Sequence, residues 1–309
     1  MSETNQRVAY GDTLLALCRE NRNIVVLDAD LGGSTMGKKI EEGLPEQHIE
    51  MGIAEANMAS VAGGLSRVGK IPFINSFAVF CCGRAFDQLR QTISIGKLNV
   101  KICGSSAGCS DFGDGATHQS IDDIAYMRVI PNMKVIVPAD ANEAVEVTKY
   151  MAASQGPVYM RIGRSELPNV TEEGKPFVLG QPTVLREGSD VCVFACGVMV
   201  AKALEAAERL AGQISVRVVN VSTIKPMDQK AIASLAQDCK GVVTAEEHSV
   251  IGGLGGAIAE ALCKACKPIE FVGINDEFGS SAHNYQDILE HLGLTVDHIE
   301  QAIRTIAAI

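Results

Sequence analysis

The feature that most constrains this chain is an alternation, sustained from end to end, of short β-rich apolar runs with helix-length amphipathic segments. That is the pattern of parallel sheets covered by helices on both faces. In the first half the strand candidates are IVVLDAD (24–30), KIPFINSF (70–77), VKICGS (100–105), MKVIVPAD (133–140) and PVYMRIG (157–163). Helical patterns fill 12–21, where Leu14, Leu17 and Cys18 share a face, then 55–68, 84–95, 119–128 and 142–154, the last with Asp140 or Asn142 as its cap.

At 165–190 the periodicity lapses into SELPNVTEEGKPFVLGQPTVLREGSD, rich in Pro, Gly and charge. It resumes with strands near 191–197, 214–222, 241–247 and 269–275. Helices are expected near 199–211, 228–237, 253–266 and twice more after Asn284. The expected fold is therefore α/β: two open, mainly parallel sheets with helices on both faces, divided as residues 1–165, a linker at 166–189, and residues 190–309. A chain of 309 residues suits two domains of ordinary size.

Charge and composition narrow the function. Lys and Arg number 27 against 37 Asp and Glu, for a net charge of −10, with no basic run that would track a phosphate backbone. Nucleic acid is not expected as a partner. The opening MSETNQRVAYGD has no apolar core, and VCVFACGVMVA (191–201) is too short to span a bilayer, so a cytoplasmic protein is expected. The ten cysteines sit mostly within apolar strand or helix patterns, which suits reduced thiols. The single C-x-x-C, Cys263 and Cys266, falls on a helical pattern without a second pair or a nearby histidine, and no metal site is expected.

Ligands of open α/β sheets usually sit beyond the carboxyl ends of the strands. Two such ends are unusual here: DADLGGST (28–35) and the long small-residue loop GSSAGCSDFGDGATHQS (104–120), whose length points to function. Within it, GDG (113–115) with Asn132 invites comparison with a metal–diphosphate motif, but the spacing is too short and no strand ends directly into it. The glycines of SVIGGLGGAIAEAL (249–262) lack both G-x-G-x-x-G order and a Walker lysine, so close helix packing is the expected reason for them.

One carboxylate stands out. In MGIAEANMAS (51–60), Glu55 lies among small and apolar side chains, and Met51, Ile53, Ala54, Ala56 and Met58 are expected to keep it dry. MGIAEANM, FINSFAVFCCGRAFDQLRQ (73–91) and GDGATHQSIDDIAYMRVIPNMKVIVPADANEA (113–144) together resemble the pyrimidine-binding domain of the transketolase group. TAEEHSVIGGLGGAIAE extends the likeness into a transketolase C-terminal domain. A full-length transketolase begins with a further domain that binds diphosphate and Mg²⁺, and nothing in this sequence matches it; the chain resembles the C-terminal subunit of a split, two-chain transketolase.

The resemblance implies thiamine diphosphate as cofactor. Glu55 would bond a ring nitrogen of its aminopyrimidine and promote the imino tautomer, with Phe80 stacking on the ring and Phe77 forming a second wall. The tyrosine that completes the family pocket falls near Gly83, implying a more open pocket. Asp114 and His118 match residues that contact substrate hydroxyls and carbonyl. Arg7, Ser34 and Arg164 match residues that hold the distal phosphate; the histidine of that set is replaced by Ser106, which opens the site to a different anionic end group such as a sulfonate. The implied reaction is transfer of a two-carbon ketol unit from an anionic ketose to an aldose. An N-terminal partner subunit would carry the diphosphate and Mg²⁺ site in an α₂β₂ assembly. The alternatives are the β subunit of a 2-oxo acid dehydrogenase, a deoxyxylulose-phosphate synthase, and a non-catalytic scaffold; only the last would tolerate loss of Glu55 or the aromatic wall, and neither is lost.

Overall fold

The computed structural model describes residues 3–309. Its strands are β1 Glu3–Asn5, β2 Ile24–Asp28, β3 His48–Glu50, β4 Ile71–Phe77, β5 Lys101–Ser105, β6 Lys134–Ile136, β7 Val158–Arg161, β8 Glu166–Pro168, β9 Thr183–Arg186, β10 Val191–Ala195, β11 Val216–Asn220, β12 Thr223–Lys225, β13 Gly241–Ser249 and β14 Ile269–Ile274. Seven form one sheet in the order β12-β6-β7-β5-β4-β2-β3, and five form a second in the order β14-β13-β10-β11-β9. Pairing is parallel throughout except where β12 and β9 join the edges. The fully buried runs of β2 and β10 explain why their sequences are almost continuously apolar rather than alternating, and β5 is fully buried although it opens on Lys101.

Most helices fall where the periodicity places them, including Glu55–Arg67, Ala141–Ala153, Met199–Arg209 and Gln229–Ala236. Asp140 is the cap of Ala141–Ala153, accepting from Glu143 N at 3.0 Å. Two local departures stand out. The helix expected over 84–95 is a short turn, Phe86–Gln88, that widens to i→i+5 bonding over Leu89–Ser94. The helix expected over 253–266 stops at Leu262, because Cys266 is left-handed (φ 50°) and the residue before Pro268 disfavours helix. Cys263 and Cys266 are therefore exposed residues beyond a helix end, while the other eight cysteines are buried.

The segment 166–189 contains two strands. β8 pairs antiparallel with β1, placing Asn5 opposite Glu166, and β9 becomes the antiparallel edge of the second sheet. β12, contributed from beyond the second sheet's β11, crosses over to cap the first sheet beside β6. The two halves also share a hydrophobic cluster in which Met127, Met133 and Val135 meet Cys196, Val221 and Leu254. A buried ionic network joins them: Arg161 of β7 bonds Asp123 through Nε (3.0 Å) and the Glu247 carbonyl through Nη2 (2.7 Å), with the Glu247 carboxylate 3.6 Å from Nη1. Among the described residues no helix is long and apolar enough to cross a membrane.

Candidate active site

The turn before helix Glu55–Arg67 is tight: Gly52 is left-handed (φ 67°) and its carbonyl accepts from Ala54 N at 2.7 Å. Helix growth then starts at Glu55, whose side chain is buried at 3% exposure. Met58 is fully buried, but Ile53 is 71% exposed and turns outward, so it does not keep this carboxylate dry as expected. Arg84 is its neighbour instead: its Nη1 donates to Glu55 Oε1 at 2.8 Å, and its guanidinium carbon sits 4.0 Å from the Phe80 ring centroid.

Phe77 ends β4 and Phe80 lies one turn into the following helix, Ala78–Gly83, a spacing that puts the rings side by side. Their centroids are 6.0 Å apart and their planes within 14°. His118 meets both rings edge-on, at 5.2 Å from Phe80 and 6.3 Å from Phe77. A side chain at Gly83 would have open space. Glu55, Phe77, Phe80 and His118 are thus in one cluster, completed by Arg84.

The loop 104–120 carries His118 and is anchored by the C-terminal half. Gly108 and Ser120 close its base, Cys109 N donates to Glu247 Oε1 (2.9 Å), and Ala282 N donates to Phe112 O (2.9 Å). Gly108 is left-handed (φ 64°), and a Cβ there would fall 2.0 Å from Glu247 Oε2. His118 Nδ1 pairs with Thr117 Oγ1 at 2.9 Å, and Asp114 is exposed just ahead of the short turn Gly115–Thr117. Burial pushes the Glu247 carboxyl pKa up, against the lowering pull of Arg161.

A second cluster gathers Arg7, Ser34 and Arg164. Asn5 caps helix Gln6–Glu20 by accepting from Arg7 N (2.9 Å) and donates to the Arg164 carbonyl (2.7 Å), tying both arginines to one side chain. Arg7 Nη1 reaches the Ser34 backbone carbonyl at 2.8 Å. Arg164 Nη1 donates to Asp111 Oδ1 at 2.8 Å. Burial lowers the Arg7 pKa, the nearby Arg164 lowers it further, and Asp111 opposes both. Ser106 lies at the foot of the loop, fully buried and left-handed (φ 49°), with no partner for its Oγ. The loop thus joins the clusters, Asp111 in one and His118 in the other. Arg84 and Asp111 are the residues that sequence reading missed, although Arg84 lies four residues after Phe80 on the same helical face.

The remaining candidates have structural partners. Asp28 is buried and accepts from Thr35 Oγ1 (2.5 Å), with His48 Nε2 at 3.1 Å; that hydrogen bond raises the His48 pKa. Asn132 donates to Ser94 O. The amides that open helix Leu254–Leu262 are already filled by Glu246, which accepts from Leu254 N (2.6 Å) and Gly255 N (2.8 Å), and a Cβ at Gly255 would strike Phe271.

Residues 2–170 match the transketolase pyrimidine-binding domain, and residues 180–299 match the transketolase C-terminal domain. The chain belongs to the transketolase family. It is 43% identical over 299 residues to the 6-deoxy-6-sulfo-D-fructose transketolase subunit SqwH of Clostridium sp. (strain MSTE9), covering 96% of this chain and 92% of that one. It is 42% identical to the putative transketolase C-terminal section of Methanocaldococcus jannaschii, covering 96% and 94%. A solved split gene transketolase, described as an inactive beta4 tetramer, superposes with a TM-score of 0.91 at 48% identity over 98% of both chains. This transketolase chain thus corresponds to the C-terminal subunit of a split enzyme, in a family that uses thiamine diphosphate.

Proposed function

We propose that this subunit contributes the pyrimidine half of a two-chain active site that transfers a two-carbon ketol unit from an anionic ketose to an aldose. The observation that carries this reading is Glu55, buried at a helix start beside the Phe77–Phe80 wall with the His118 edge against it. The residues present fit an aminopyrimidine. What now lies over Phe80 and bonds Glu55 is a guanidinium, a planar group bearing N–H donors, which is the chemistry such a ring would present.

Thiamine diphosphate, when bound, supplies the carbanion chemistry at the ketose carbonyl. The chain's own residues do the rest. Glu55 would hold a ring nitrogen of the aminopyrimidine and share a proton with it. Phe80 stacks on the ring and Phe77 walls the pocket. His118 holds or passes a proton at the substrate oxygen, and Asp114 accepts from a hydroxyl. Arg7, Ser34 and Arg164 hold the anionic end through guanidinium donors.

The diphosphate and Mg²⁺ are assigned to an N-terminal partner subunit in an α₂β₂ assembly, with this chain divided as 1–165, 166–189 and 190–309. The buried, unpaired thiols suit a reducing, cytoplasmic compartment. The test is ketol transfer from a ketose phosphate or sulfonate, with thiamine diphosphate and Mg²⁺, by this chain alone and by its mixture with the N-terminal subunit. Transfer by the mixture only is expected. Transfer by the chain alone, or turnover of pyruvate in preference to ketoses by the mixture, would overturn the reading.

A further inference from the structure

The second cluster carries more charge than its three expected members. Arg7 and Arg164 are joined there by Asp111, 2% exposed, whose Oδ1 accepts from Arg164 Nη1. Its other oxygen, Oδ2, is buried and receives no donor. Two buried donors also lack partners: Arg7 Nε in this cluster, and the hydroxyl of Ser106 at the foot of the loop that carries Asp111. The open Arg7 donor beside the Arg164 guanidinium marks a place that an oxyanion completes, while the bare Asp111 oxygen, an acceptor, works against it.

The charge of that oxyanion follows from the same residues. Arg7 and Arg164 against one carboxylate leave a single net positive charge within the cluster. Asp114, the other nearby acid, is exposed, so its charge is felt in solvent-weakened form and can only reduce that positive excess. A phosphate monoester carries a charge of about −1.5 to −2 near pH 7. It would set nearly two negative charges against the Asp111 carboxylate, whereas a sulfonate brings one on the same tetrahedral array of three oxygens. Burial raises the Asp111 pKa, Arg164 opposes the rise and Asp114 adds to it, so the carboxylate is already crowded by a like charge before any ligand arrives.

We propose that Asp111 sets donor specificity in this subunit by pairing with Arg164, so that the site prefers a ketose ending in a monoanionic sulfonate over one ending in a phosphate dianion. Discrimination here comes from a built-in repulsion rather than from an extra attraction. The neutral Ser106, where the family resemblance places a histidine, works in the same direction by adding a hydroxyl without a cation. This inference rests on the ketol-transfer reading above.

The experiment uses the complex of this chain with its N-terminal subunit and two ketohexoses that differ only in carrying a sulfonate or a phosphate at C6. The wild-type kcat/KM should favour the sulfonate by about tenfold or more, and Asp111→Asn should shift the ratio about tenfold toward the phosphate. Wild-type preference for the phosphate, or a ratio unmoved in Asp111→Asn, would overturn the role of Asp111 while leaving ketol transfer intact. Transfer from neither ketose would overturn the reading beneath it as well. Should Asp111→Asn fail to assemble, the wild-type complex decides alone: methanesulfonate should inhibit more tightly than methyl phosphate, and the reverse order would sink the proposal.

Discussion

The guanidinium of Arg84 sits over the Phe80 ring, 4.0 Å from its centroid, while its Nη1 donates to Glu55 Oε1 at 2.8 Å. One side chain thus engages both groups assigned to the cofactor ring, and it must withdraw for that ring to seat. Its side chain is half exposed, so the ion pair and the ring contact together hold it by about 1 kcal/mol. Arg84→Ala should therefore tighten thiamine diphosphate binding to the assembled complex by about fivefold, measured by titration calorimetry. Weaker binding would mean that Arg84 helps to hold the ring.

Glu55→Gln keeps the shape of the side chain and removes its capacity to share a proton. In the complex, ketol transfer should fall by about 10²- to 10⁴-fold while the subunits still assemble. Turnover near the wild-type level would sink the assignment of Glu55.

Among the described residues, Arg161 is the only cation that the buried carboxylates Asp123 and Glu247 share within bonding range. Arg161→Met would leave two buried carboxylates unbalanced, and a loss of about 3–5 kcal/mol in urea unfolding is expected. Gly108→Ala acts on the same network from the loop side, since its Cβ would overlap the Glu247 carboxylate. It should lower kcat through His118 more than it lowers the unfolding midpoint, and equal retention of both would contradict the anchoring role.

Alkaline stability has two opposed contributions. Burial raises the Cys18 thiol from 9.0 to about 12, so its contribution is complete below pH 9 and is lost as pH rises through 12. Burial, with Lys134 adding to it, lowers Lys101 from 10.5 to about 7, so stability gained from its deprotonation grows between pH 7 and 10.5. Four acceptors surround its Nζ, the Asn99 side chain, the Ser154 carbonyl and hydroxyl and the Gly156 carbonyl, and they moderate that gain by favouring the ammonium. Denaturant titrations from pH 7 to 10.5 should show a shallower decline for Cys18→Ala than for the wild type, and a steeper one for Lys101→Met. The opposite order would contradict these signs.

Much of this arrangement was legible in the sequence, because local patterns encode it. Every parallel strand except β3, His48–Glu50, announces itself as an apolar run, and Glu55, Phe77, Phe80 and His118 lie in blocks whose order resembles the family's. What escaped notice is non-local. β12 is three residues long and flanked by Pro226, and its partner Ile136 lies far back in the chain, so no periodicity reveals it. β1 and β8 define each other in the same way. Arg84 and Asp111 read as an ordinary helix charge and an ordinary loop acid until folding brings Glu55 and Arg164 against them.

The crossing of β12 also governs how the polypeptide can be divided. A fragment ending in the linker would present the β6 edge, Lys134–Ile136, with the backbone groups that β12 satisfies left open. Such a bare edge is a template for self-association. Separately produced halves should therefore stick to copies of themselves, and complementation by mixing them would have to compete with that aggregation.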